Sequence, residues 1–265
     1  MTRWTAVSRQ QHANARWKPR KGFEFARPLQ VVDVLIPELS KLLPHYALAF
    51  IQRDGNWQPV ALLGIGGEKN LYVDADGKWL GRYVPAALRG YPFTLAARED
   101  GDKVLCLNEA HLATEGTSED GTQPLFHGEE LAEPTARTLG FLKQCDQART
   151  GTAAATKALA DADLFQPWPL KVNRGEEKEP LTLDGLHHIN EQRLNELDAE
   201  TFAGLRRAGA LLLAYSQLLS MVQTEQLGQR AEHLGAQAKA RTATDDLGSL
   251  FDDSGSLNFD NLEDQ

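Results

Sequence analysis

Partway along this chain the spacing of its apolar residues changes, and that change limits the folds open to it. Up to about residue 113, apolar side chains come in short runs rich in β-branched and aromatic types, the pattern of strands. Beyond residue 133 they recur every three or four positions, the pattern of helices. The order predicts an α+β fold, with an antiparallel strand-rich N-terminal half packed against a helical C-terminal half.

Within the first half, strands are predicted over residues 31–35, 47–52, 57–65, 71–73, 93–97 and 103–107. Asp54-Gly55-Asn56 is a turn sequence, so the second and third runs form a hairpin. Pro37 sits where a first-turn proline would, ahead of Leu39, Leu42 and Leu43, and Pro44 ends that very short helix. Glu99-Asp100-Gly101-Asp102 joins the last two strands. One compact antiparallel sheet accommodates them all.

After a polar, Gly-rich loop over 114–133, Pro134 starts a long alanine-rich helix carrying Leu139, Leu142, Ala148 and Leu159. Residues 165–169 break it, and 170–172 with 181–183 flank a charged turn over 173–179 as a second small hairpin. Asp198 reads as the N-cap of a helix over 199–207. A second long helix over 208–241 bears Leu211, Leu212, Tyr215, Leu218, Leu219 and Val222, then turns polar beyond Thr224. Its far end is expected to leave the core and meet a partner.

Charge is concentrated at the two ends. Residues 1–27 hold seven Lys or Arg against Glu24 alone, a basic N-terminal arm of net +6. Residues 245–265 hold seven acids and no base, so the acidic tail, counted from 242, carries −7. The chain totals −9, which leaves −8 for residues 28–244, and an acidic body offers no basic face to nucleic acid. Two cysteines, Cys106 and Cys145, are too few for a disulfide framework and fit a reducing compartment. No apolar run follows the basic start and none reaches membrane-spanning length, so a cytoplasmic location without a membrane span is expected.

Motifs with chemistry are incomplete. Asp74-Ala75-Asp76-Gly77 opens like a calcium loop, but Lys78 and Pro85 stand where oxygen ligands belong, so it reads as a turn. Gly64-Ile65-Gly66-Gly67 lacks the spacing of a dinucleotide or phosphate loop. His127 and Glu129 with His188 could be written as a two-histidine, one-carboxylate iron site, though loop histidines are the default. The sequence has no G-x-S-x-G, H-E-x-x-H or C-x-x-C pattern, and no catalytic residue or cofactor is assigned.

The richest run is 70–93, NLYVDADGKWLGRYVPAALRGYPF. Its Trp79, Tyr83 and Tyr91, with Arg82 and Arg89, have the makings of a stacking platform for a sugar, peptide or base, and Asn70 and Asp74 flank them. The other reading of such a cluster is core plus a structural cation. Together with Pro59 to Gly64, Pro124-Leu125-Phe126, Leu205, Gly209 and residues 215–220, this run resembles the bacterial SapC family, over roughly residues 18–222. It departs from the family pattern at Gly90, where a second arginine is usual, and at Asn108, where an acid is common. Charge and the resemblance together divide the chain into a basic arm (1–27), a SapC-like α+β domain (28–241) and the acidic tail (242–265). It implies a link to surface-layer or envelope biogenesis and supplies no reaction.

Leu250, Phe251, Phe259 and Leu262 punctuate the tail's acids, the pattern of a segment that docks into a basic, apolar groove on a protein partner. The expectation is a non-catalytic accessory or assembly protein acting through protein contacts of the arm and tail, within an oligomer or larger assembly. Two alternatives stand beside it: a structural component of a particle such as a virion, and an uncharacterised enzyme.

Overall fold

A computed structural model describes residues 3–66, 70–98, 101–113, 121–172 and 181–248. The chain opens with β1 (Trp4–Ala6), a single turn α1 (Arg9–His12) and β2 (Arg16–Trp17). β3 (Val31–Asp33) leads through a 3-10 turn at Ile36–Glu38 into α2 (Leu39–Leu42), then into β4 (Leu48–Arg53) and β5 (Asn56–Leu62). Beyond the 70–93 run, which holds α3 (Ala86–Arg89), come β6 (Phe93–Ala97) and β7 (Lys103–Asn108). Four two-residue strands follow: β8 (Leu112–Ala113), β9 (Gln123–Pro124), β10 (Phe126–His127) and β11 (Glu130–Leu131). The helical half holds α4 (Glu133–Asp161), β12 (Phe165–Pro167), β13 (Leu170–Val172), β14 (Leu181–Leu183) and β15 (His187–Ile189). It continues with α5 (Glu191–Asn195), α6 (Ala199–Arg207), α7 (Ala210–Ser220), a 3-10 turn at Met221–Gln223 and α8 (Thr224–Gly248).

The α+β class holds, but the expected single sheet is several. The largest has the order β12-β15-β4-β5-β3, and separate three-stranded sheets run β1-β7-β6 and β8-β2-β9. Residues 71–73 do not form a strand: Val73 makes only an isolated bridge to Trp79. Asp74 closes that turn with its own side chain, Oδ1 accepting from the Asp76 and Lys78 N–H groups at 2.9 and 2.8 Å. The stretch expected as a basic arm contributes strands to the body. β1 pairs with β7, β2 lies between β8 and β9, and Trp17 is buried edge-on against Phe93. Three of its cations meet partners in the chain itself: Arg3 meets Glu109, Arg9 meets Glu129 and Arg16 donates to Thr122.

The hairpin of β4 and β5 turns at Asp54 and Gly55, both at positive φ (50° and 76°), the primed geometry that matches strand twist. α4 spans two cores. Its first half packs Leu139 and Leu142 against Trp17, Phe93 and Leu107, and its second half buries Ala155 and Leu159 beneath the large sheet. Asp198 caps α6 through the Glu200 and Thr201 N–H groups, and Gly209, at φ 70°, ends it in the left-handed conformation that releases the chain into α7. α8 stays on the core at least through Leu227, Ala231 and Leu234, further than expected. Among the described residues no helix is long and apolar enough to cross a membrane.

α7 faces the opposite way from the one its apolar residues suggest. β15 and β4 share a single paired position, His187 with Phe50, so backbone groups beyond it lack ladder partners. Gln217 fills that gap, its Oε1 accepting from Ile189 N–H at 2.9 Å while its Nε2 donates to the Leu48 carbonyl at 3.2 Å. Ser220 Oγ accepts from Leu48 N–H at 2.9 Å. Satisfying those buried groups turns Ser216, Gln217 and Ser220 inward with Leu213 and Ala214. Leu212, Tyr215, Leu219 and Val222 are thereby left outside.

Candidate functional site

The 70–93 run resolves into structural parts. Asn70 is buried; its Nδ2 donates to the Ala26 carbonyl at 3.0 Å and its Oδ1 accepts from Tyr72 N–H at 2.8 Å, which pins the start of the run to a 3-10 turn at Glu24–Ala26 before β3. Trp79 is buried between Phe23 and Tyr72, at ring distances of 5.2 and 5.7 Å. Its Nε1 donates to the Tyr83 carbonyl and to the Tyr46 hydroxyl. Tyr46 in turn donates to that same carbonyl, and Tyr72 donates to the His45 carbonyl at 2.7 Å. The indole and phenols have their polar tips satisfied by backbone, the condition for burying such rings.

Sequence reasoning missed the residue that organises the other end of this run, Glu38. It is buried at 5% exposure, and its two carboxyl oxygens accept from Leu35 N–H, Ala86 N–H and the Tyr83 hydroxyl at 3.1, 2.8 and 2.9 Å. Arg89 donates to the Tyr83 hydroxyl at 2.9 Å and lies over the Tyr83 and Phe141 rings. Burial, then the neighbouring Glu38 carboxylate, pushes Tyr83 up to about 12. The signal for Glu38 was present: a glutamate directly after the first-turn proline reaches back to the N–H three residues earlier, as capping glutamates do.

Tyr91 belongs to a different neighbourhood. Its ring stacks on Phe25 at 3.8 Å, and its hydroxyl accepts from Asn108 Nδ2 at 2.8 Å with His111 Nε2 at 3.2 Å. Asn108, the departure from the SapC pattern, thus anchors Tyr91 while its Oδ1 accepts from Ala110 N–H. A side chain at Gly90, the other departure, would meet Leu142 of α4 at 2.5 Å, so glycine permits that close approach. Arg82 is exposed, and the predicted residues divide between the neighbourhood of Trp79, Tyr83 and Arg89 and that of Tyr91.

The candidate iron residues lie apart as well. His127 is exposed on β10 opposite Glu130, Glu129 pairs with Arg9 at 2.9 Å, and His188 on β15 sits 2.7 Å from Gln166 Nε2. Among the described residues no group of three or more His, Cys, Asp or Glu is disposed to hold a metal. Leu250, Phe251, Phe259 and Leu262 lie outside the described residues.

Two surface features remain. A groove of about 600 Å³ runs between α4 and the β4–β5 turn, with Trp57 and Gln58 on one wall and Arg149 and Lys157 on the other. Its charges are already paired: Lys157 with Asp161 at 2.6 Å, Asp33 with Arg53 at 3.5 Å, and Arg149 with Asp146 at 3.4 Å. Gln58 Oε1 is buried there with no hydrogen-bond partner among the described residues. One unpartnered acceptor in a neutralised groove does not make the converging set of polar groups a specific ligand site needs.

The second feature is the outer face of α7. Leu212, Tyr215 and Leu219 on α7, with Val222 in the 3-10 turn that follows it, are 57, 41, 71 and 60% exposed, and Leu211 and Leu218 beside them are half-buried. α7 carries no charged residue. A stripe of large apolar side chains in water marks a contact surface far more often than an isolated exposed leucine does.

No curated protein and no solved structure matches this chain. The family model described as SapC does match, over residues 7–227, beginning just after β1 and taking in β2, the signature and α7. The chain is therefore a member of the SapC family.

Proposed function

We propose that this protein is a non-catalytic accessory or assembly factor that works through protein contacts, with the outer face of α7 as its contact surface. The observation that carries this reading is the outward row of Leu212, Tyr215 and Leu219 on α7, continued by Val222 in the turn after it, on a helix whose polar side chains hold the sheet. The saturation of the 70–93 aromatics by backbone and by Glu38 supports it further, because those groups are occupied in holding the fold. We extend the proposal to a role in surface-layer or envelope biogenesis carried out in the cytoplasm, and the SapC resemblance is what supports it. A particle component is the weaker reading, since Arg3, Arg9 and Arg16 of the first 27 residues are engaged within the chain.

The test is affinity purification of the tagged full chain beside its Leu219→Glu variant. The expected result is a protein that accompanies the parent chain and is lost from the variant while the circular dichroism of the two stays the same. Turnover of a small molecule that survives Leu219→Glu and is abolished by changing one polar side chain in the α4 groove would contradict the reading.

A further inference from the structure

We infer that the partner of the α7 stripe is a second copy of this chain, docked antiparallel across a two-fold axis that passes between Tyr215 and Leu219. The inference rests on the contact surface proposed above and names its occupant.

Three observations converge. First, the exposed apolar residues are spaced by three, four and three positions, a series that reads the same in both directions. A two-fold axis at its midpoint sets Tyr215 of each copy against Leu219 of the other, and Leu212 against Val222. This is the spacing of a coiled-coil seam, with three of its positions on α7 and the fourth in the 3-10 turn after it. An isologous interface requires a patch that complements itself, and this one does.

Second, α7 has no charge of its own, so two copies meet without like charges facing one another across the seam. Third, its two ends differ in sign. Exposed Arg206 and Arg207, at the end of α6, lie four and three residues before α7, and exposed Glu225, in α8, lies five residues after it. Antiparallel docking sets the basic end of each copy beside the acidic end of the other, whereas parallel docking would set like beside like. Antiparallel helices also oppose their macrodipoles favourably.

Four side chains, each already partly covered, offer less area than the ~800 Å² per partner of a standard interface, which predicts a reversible dimer with a dissociation constant on the order of micromolar. Sedimentation equilibrium of the full chain across that range should show a monomer and dimer in exchange. Leu219→Glu, which places carboxylates beside the axis, should weaken the dimer by at least about a hundredfold with the monomer still folded. Arg207→Glu should weaken it by about threefold to tenfold, and adding Glu225→Arg to that variant should restore it. Tyr215→Cys mixed with Leu219→Cys should cross-link on mild oxidation more readily than Leu219→Cys alone.

A chain that is monomeric throughout overturns the inference, as does a dimer indifferent to Leu219→Glu. So does a chain that pairs only after residues 245–265 are removed, which would assign the stripe to its own tail. If the chain is monomeric but Leu219→Glu still releases a different co-purifying protein, self-pairing fails and the contact-surface reading stands. If Leu219→Glu changes neither, both fail.

Discussion

The loop between β5 and β6 and the helix α7 dispose of their side chains in opposite ways. The loop draws its aromatics inward: Tyr72 and Trp79 are buried, and each polar tip finds a backbone carbonyl. α7 draws its amide and hydroxyls inward and leaves leucines in water. The cause is common to both. A buried backbone N–H or C=O must be paired, and the side chain able to pair it takes the interior position whatever its hydropathy. In the loop those partners come attached to large rings, so polarity and burial agree. On α7 the gap between β15 and β4 demands an amide, and the apolar residues on the far side lose their place in the core.

The comparison can be broken first at the loop. Trp79→Ala should lower unfolding free energy by about 4 kcal/mol in urea titration, as a large cavity under three neighbouring rings requires. A stable variant that merely loses a ligand would show instead that the ring serves a site. Glu38→Ala should cost about 3 kcal/mol, because it strands the Leu35 and Ala86 N–H groups in the interior. A smaller loss would mean that water replaces the carboxyl group there.

A gentler probe uses pH. Burial pushes Tyr72 and Tyr83 up to about 12 and Tyr46 higher still. In the unfolded chain these phenols ionise near about pH 10, so above that point the unfolded state holds fewer protons than the folded one. Stability should therefore be unaffected by these tyrosines below about pH 10 and fall as pH rises from there towards 12. Thermal midpoints across that window should decline in the parent chain and less steeply in Tyr72→Phe. A flat profile would show the phenols to be open to water.

Parts of this structure were legible in the sequence where one local signal decides the outcome. Asp54-Gly55 sets the hairpin, Asp198 caps α6, and Asp74 closes its own turn. The rest depends on partners far apart in the chain. β1 and β2 are two or three residues long within a basic stretch, too short to display a period, and exist because β7, β8 and β9 pair with them. α7 is apolar around most of its circumference, so its composition gives no direction, and Gln217 chooses one by reaching strands 28 and 169 residues away. The aromatic run was legible as important, and its role as core rather than platform followed only once Glu38 and Tyr46 were placed beside it.

The claim that α7 is held by its polar side and exposes its apolar one is tested most directly by unfolding Gln217→Leu and Leu219→Glu side by side in urea, at protein concentrations too low for association. The account predicts a loss of about 2 to 3 kcal/mol for Gln217→Leu, which adds an apolar residue but leaves Leu48 and Ile189 unpaired. It predicts a change within about 0.5 kcal/mol for Leu219→Glu, which puts a charge on a leucine that water already surrounds. The reverse order, with the leucine variant stable and the glutamate variant unfolded, would contradict it.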